Sequence, residues 1–286
     1  MLPQRARLPL IGAGTAVALL IATWYAAFHI GVFEHADQSI LRGFVDLQRP
    51  RLNRITQFVA DLCNPRPYVY FAAIPVLVAL ARRRPRVAAA VAMIILGANV
   101  TTQLLKPLLA EARVVSLSGF PVFYANAWPS GHATAAMSLA LCSVIVAPAR
   151  WRPYVAALGA AFAVAVSFSF LELAWHFPSD VFGGFLIATA WTLVGVAAIE
   201  AAEARWPRRA GAPSRELVQP VSLGEALGPP AAALLGALVL AGLLVLARPH
   251  AVVDYARSHE AFIVGATSIA ALGLALATGV MLALRR

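Results

Sequence analysis

Apolar residues along this chain come in long runs rather than in alternation, and eight of those runs are candidates for crossing a bilayer. They lie at about 8–30, 67–82, 87–105, 132–148, 153–174, 181–202, 229–247 and 260–284. A spanning helix needs roughly 20 mostly apolar residues, so several are short for the task. The pattern predicts an all-α fold, a polytopic transmembrane helical bundle. Two stretches break it. Residues 34–66, "EHADQSILRGFVDLQRPRLNRITQFVADLCNPR", mix apolar and charged residues at near-helical spacing. Ile40, Phe44, Leu47, Leu52, Ile55, Phe58 and Leu62 are available for one face, which predicts one or two helices lying on the outer membrane surface. Residues 204–228, with "RWPRRAGAPSRELVQP", read as a polar linker on the inner side. The linker divides a six-helix body, 1–203, from a two-helix C-terminal appendix, 229–286.

Composition agrees with the pattern. Of 286 residues, 60% are hydrophobic and 13% charged, and the mean hydropathy is +0.76. That is too apolar for a soluble domain of ordinary make-up. Arg5 and Arg7 ahead of the first run would suit a signal peptide. The run is longer than a typical signal core and no clear small-residue cleavage site follows, so the expectation is a retained helix. Cys63 and Cys142 supply no disulfide framework and are expected to be inert packing residues.

The net charge of +10 invites a nucleic-acid reading, but the arginines are distributed by loop rather than gathered on one face. With the N-terminus in the cytoplasm, Arg5, Arg7, the run Arg82-Arg83-Arg84-Pro85-Arg86, Arg150, Arg152, Arg205, Arg208, Arg209, Arg215, Arg285 and Arg286 fall inside. These are the larger share of the 23 basic residues, as the positive-inside rule requires. There is no internal repeat, no Gly-rich nucleotide loop and no zinc-like cluster.

Ionisable residues at membrane depth are costly and tend to mark working sites, and three groups of them stand out. At the end of the third run, "QLLKPLLAEARV" holds Lys106 and Arg113, seven residues apart. A helix continuing to Arg113 would put both cations on one face, able to clamp an anion. Lys106 is the only lysine in the chain. The fourth run opens with "WPSGHATAAMS": Ser130 is a good N-cap, Gly131 lets backbone approach a ligand, and the free N–H groups of the helix start attract an anion. His132 projects at that mouth. Between runs five and six, "SFSFLELAWHFPSDVFGG" holds His176 just before a helix opened by Pro178, with Asp180 a turn inside. Asp180 can accept from one imidazole nitrogen and leave the other basic. Each group taken alone has a bland reading, as interface cations, a helix cap and a structural His–Asp contact. All three fall on the same, extracytoplasmic side, where two cations, a helix N-terminus and two histidines outline a phosphoryl-transfer site.

The order Lys-x6-Arg, Pro-Ser-Gly-His and His-x-x-x-Asp resembles the three-part signature of the type-2 phosphatidic acid phosphatases, integral-membrane lipid phosphate phosphatases related to vanadium haloperoxidases. The resemblance covers about residues 34–203. It implies His176 as the nucleophile that forms a phosphohistidine, Asp180 as its orienter and His132 as general acid, with Lys106, Arg113, Ser130 and Gly131 holding phosphate. It also implies no metal and no cofactor. The expected partners are a lipid phosphate or diphosphate substrate and the bilayer, with no nucleic acid. Two positions depart from the family pattern. Val114 stands where a proline follows the first-motif arginine, and the third motif's Ser-Arg pair reads Ser169-Phe170, so an arginine that grips phosphate is missing. Arg66 and the arginines of 34–66 are candidate replacements. Three readings follow: a phosphatase, a phosphotransferase that passes the phosphoryl group to another acceptor, and a degenerate, non-catalytic lipid-binding or transport protein.

Overall fold

The computed structural model describes residues 4–109, 111–117, 120–206 and 222–284. Each of the eight apolar runs becomes a helix: α1 (Gln4–His29), α4 (Pro65–Ala81), α5 (Pro85–Leu109), α6 (Gly131–Val146), α7 (Arg152–Glu172), α8 (Pro178–Arg205), α9 (Leu223–Ala247) and α11 (Glu260–Ala283). Six of these are long and apolar enough to cross a membrane, while α4 and α6 are shorter apolar helices. The protein is an all-α, multi-pass membrane protein. Most of the expected linker, including Arg208, Arg209 and Arg215, lies outside the described residues, as do Arg285 and Arg286.

Residues 34–66 form two short helices, α2 (Gly31–Val45) and α3 (Asn53–Asp61). They do not present one continuous apolar face. Phe44 is buried with Leu41, whereas Leu52, Ile55 and Phe58 are exposed. Helix α2 packs against α1, α7 and α11, and buries its carboxylate Asp37 as well as Leu41 and Phe44. A short helix α10 (Pro249–Ser258) joins α9 to α11.

Helix α8 sits at the centre, against α1, α5, α6 and α11, and is the most buried of the long helices. Lipid tails are as apolar as leucine, so such helices associate through close packing at small residues rather than by escape from water. At the α6–α8 crossing that residue is Gly184. A Cβ there would stand 2.7 Å from the Ser130 carbonyl oxygen and 2.8 Å from the Ala133 Cβ. A second tie joins the same helix starts, since the Ser130 N–H donates to the Asp180 carbonyl at 3.0 Å. The N-termini of α6 and α8 are thereby held edge to edge. Gly184→Ala is expected to destabilise the protein by about 1–3 kcal/mol, because neither clashing partner can rotate away; thermal unfolding in detergent measures it.

One element corrects the expected continuation of the third helix to Arg113. Helix α5 ends at Leu109, and Arg113 opens strand β1 (Arg113–Leu117), which pairs antiparallel with β2 (Phe120–Tyr124), Arg113 opposite Tyr124. "RVVSL" and "FPVFY" are rich in β-branched and aromatic residues, which favour an extended ribbon over another helical turn. Arg113 therefore reaches the bundle from a strand rather than from the face that carries Lys106.

Candidate active site

The site is built where α6 and α8 begin. Ser130 takes the extended backbone of an N-cap, and its hydroxyl accepts from the Ala133 N–H at 3.3 Å. This starts α6 at Gly131 and sets His132 on its first turn. Lys106 comes in beside it, its Nζ 3.9 Å from where a Cβ on Gly131 would lie. An ammonium and a helix N-terminus thus share one spot, the expected anion-holding pair.

His176 arrives by a different route. Helix α7 ends with Ala174 in the left-handed region, φ 57°, and the Tyr124 hydroxyl donates to its carbonyl at 2.6 Å. Burial pushes the Tyr124 hydroxyl up to about 12, so it stays protonated and serves as this donor. The turn swings the chain into α8, whose first turn is fixed by Pro178 and by Asp180 reaching back. Asp180 Oδ2 accepts from the Phe177 N–H at 2.9 Å and from His176 Nδ1 at 3.1 Å. A carboxylate only accepts, so Nδ1 carries the proton and Nε2 keeps its lone pair. Nε2 has no hydrogen bond among the described residues. The His132 and His176 rings are 6.3 Å apart between centroids, and both face the same space.

Phe170 fills one wall of that space. Its ring, with no exposed surface, lies 5.2 Å from His176 and 6.0 Å from His132. Trp175 adds a second aromatic wall, 5.5 Å from His132. The position that the family pattern gives to an arginine is therefore a buried apolar ring packed beside both histidines. Among the suggested replacements, Arg42 donates to the Ser116 carbonyl and Gln38, and Arg49 to the carbonyls of Asp46 and Gln48. Arg66, exposed in the first turn of α4, has no hydrogen bond among the described residues.

Arg113 joins the site in a way the motif did not suggest. Its two terminal nitrogens go to two carboxylates, Nη1 to Asp37 at 2.8 Å and Nη2 to Asp180. Its guanidinium also lies over the Phe177 ring, at 3.9 Å, and the Phe28 ring, at 4.7 Å. Asp37 is the missed member. It accepts from the Ser179 N–H at 2.8 Å and hydroxyl at 2.6 Å, binding α2 to the start of α8. Burial pushes the Asp37 carboxyl up to about 6 against the opposing pull of Arg113, so at neutral pH it is ionised, as the three hydrogen bonds it accepts from Arg113 and Ser179 would require. Nothing in "EHADQSIL" marks this carboxylate, since its partners are up to 142 residues away.

His132 also has a partner the motif does not contain. Its Nε2 meets Asn64 Oδ1 at 2.9 Å, and Asn64 Nδ2 donates to Asp61 at 2.9 Å. Both cysteines are buried and unpaired. Among the described residues no group of His, Cys, Asp and Glu could hold a metal ion.

The far end of α6 is turned away from all of this. There Arg82, in the arginine turn between α4 and α5, donates to the Val146 carbonyl at 3.0 Å. The histidines and the arginine-rich turn therefore stand at opposite ends of the bundle.

Residues 62–203 match the family model described as PAP2 superfamily, a range that contains all three motifs. This match and the fold support a relation to the type-2 phosphatidic acid phosphatases. The fold resembles the crystal structure of the first transmembrane PAP2 type phosphatidylglycerolphosphate phosphatase from Bacillus subtilis, with a TM-score of 0.54 at 18% identity, covering 69% of this chain and 98% of that one. No curated protein matches the chain. The match begins at residue 62, so α2 with Asp37 lies ahead of it, whereas the motif resemblance extends from about residue 34.

Proposed function

We propose that the protein is an integral-membrane phosphatase that hydrolyses a lipid phosphate or diphosphate through a phosphohistidine on His176. The observation that carries this reading is the histidine pair, with His176 Nε2 unprotonated and facing the same space as His132. In the first step Nε2 attacks phosphorus and the bond from phosphorus to the ester oxygen breaks. Protonated His132 gives its proton to that oxygen, which leaves as an alcohol. In the second step neutral His132 takes a proton from water as the water attacks phosphorus. The P–N bond breaks, phosphate leaves, and both histidines return to their starting states. Lys106 and the N–H groups at the start of α6 hold the phosphoryl oxygens. Because both terminal nitrogens of Arg113 are held by carboxylates, its part in this scheme is to steady Asp180.

A hydrocarbon-bearing substrate fits the surroundings. An apolar groove of about 350 Å³ runs between α4, α6 and α7, lined by Leu62, Phe71, Leu139, Leu158 and Phe162 among others; Leu62 stands two residues before Asn64 in the chain. The arginine turn at the opposite end of the bundle supports an extracytoplasmic site in the cell membrane by the positive-inside rule. Phosphate release by the purified protein from a panel of glycerophospholipid and polyprenyl phosphates tests the activity. Cysteine labelling at Lys106 and in the Arg82 to Arg86 turn tests the side, and a cytoplasmic Lys106 would remove the outer-leaflet substrates.

Phe170 favours a second reading, a lipid-binding protein without turnover, because an apolar ring stands where phosphate needs a cation. Phe170→Arg separates the two. A charge-assisted hydrogen bond is worth roughly 1.5–3 kcal/mol, so in a working phosphatase the variant should be inhibited by vanadate at about tenfold lower concentration. Tighter vanadate with slower lipid turnover would mark Phe170 as shaped for the substrate. A folded variant that neither binds vanadate nor releases phosphate, like its parent, favours the second reading.

A further inference from the structure

His176 has a carboxylate behind it, and the structure places a carboxylate behind His132 as well, one amide further away. Asn64 is the N-cap of α4, a position where asparagine ordinarily accepts from an N–H of the first turn. Here it makes no such bond. The sequence helps explain why: "NPRP" puts prolines at the first and third helical positions, so of the two N–H groups that a cap uses, at the second and third positions, the one at the third does not exist. The side chain turns away from its own helix, towards His132 and Asp61.

The direction of each bond in this chain follows from chemistry. Asp61, which also accepts from Gln57 at 2.9 Å, can only accept when ionised, so the group it meets at 2.9 Å is the Asn64 NH2. The Asn64 carbonyl oxygen then faces His132, 2.9 Å from Nε2. A carbonyl only accepts, so His132 Nε2 must donate. That fixes Nδ1 as the nitrogen left for substrate. It has no hydrogen bond among the described residues.

We propose that Asn64 is a positioning residue for His132: it holds Nε2–H, directs Nδ1 at the leaving oxygen, and relays the charge of Asp61 to the imidazolium that serves as proton donor. This rests on the reading of His132 as general acid given above. The two histidines then differ as their tasks do. The nucleophile is oriented by a carboxylate in direct contact, and the acid by a carboxylate acting through a neutral amide, which polarises the bond without taking the proton.

The test exploits the fact that only a poor leaving group needs the acid. Turnover by the full-length protein is measured on a lipid phosphate, whose leaving group is an alkoxide, and on an aryl phosphate, whose leaving group departs unaided. Asn64→Leu should lower kcat on the lipid phosphate by roughly 10²-fold, the cost of a misplaced catalytic group, and on the aryl phosphate by only a few fold. Asn64→Asp, which keeps an acceptor, should recover most of the loss, and Asp61→Asn should give a smaller loss with the same substrate bias. Equal losses on both substrates, or none, would overturn the proposal. If the wild type turns over neither substrate, the phosphatase reading fails on its own. NMR of isotope-labelled histidine still decides the geometry in that case, since His132 should be the Nε2–H tautomer in the wild type and lose that preference in Asn64→Leu. An Nδ1–H tautomer in the wild type would contradict the Asn64 assignment directly.

Discussion

His176→Ala is expected to abolish phosphate release from any lipid phosphate that the wild type hydrolyses, while leaving the fold intact. The nucleophile has no understudy: among the described residues no other histidine shares the pocket except His132, whose Nε2 is committed to Asn64. His132→Ala should come close to the same result on alkyl esters, since a positioned general acid contributes typically 10²–10⁴-fold. The folds should survive because neither ring anchors a helix. His132 lies on the first turn of α6, which Ser130 caps, and the start of α8 is held by Asp180, Ser179 and Asp37. Phosphate release assays with circular dichroism as the folding control check both. Wild-type release by His176→Ala would contradict the nucleophile assignment.

Asp37→Ala is expected to cost about 3–5 kcal/mol of stability, the range for removing one partner from a buried ion pair. The substitution deletes the acceptor of Arg113 Nη1, the Ser179 N–H and the Ser179 hydroxyl together. It leaves a buried guanidinium with Asp180 as its remaining carboxylate. Arg113 then pulls harder on the carboxylate that orients His176, so kcat should fall as well. Denaturant unfolding in detergent measures the first effect. A loss below about 1 kcal/mol would mean that α2 is not the buttress of the site. The prediction concerns an element outside the part of the chain that matches the family model, and so a feature that the three motifs do not carry.

The helices were legible because bilayer thickness imposes long apolar runs, and the caps were legible because capping is local. Ser130 starts α6 within one residue of where "PSGH" predicts, and Pro178 starts α8. His176 and Asp180 are legible for the same reason, being one turn apart on one element. The rest of the site is assembled across the sequence. Asp37 meets Ser179 over 142 positions, and His132 meets Asn64 over 68. No local pattern reports such contacts. The seven-residue spacing of Lys106 and Arg113 suggested a shared helical face, yet the β-hairpin carries Arg113 to the opposite side of Asp180 from His176 Nδ1, where it braces the orienter. Residues 34–66 looked like a surface segment because their charges are visible in the sequence. That one of those charges is buried as a strut is visible only in the packing.

The central claim is covalent catalysis by His176, and the most direct measurement is to mix the purified wild-type protein with a turned-over lipid phosphate, quench under alkaline conditions and locate the phosphoryl group by peptide mass spectrometry. The account predicts a single acid-labile phosphohistidine at His176, absent from His176→Ala and accumulating in a variant of His132 when the leaving group is aryl, because water then lacks its base. Sustained phosphate release with no phosphoryl-enzyme under these conditions, or a phosphoryl group on any other residue, would contradict it.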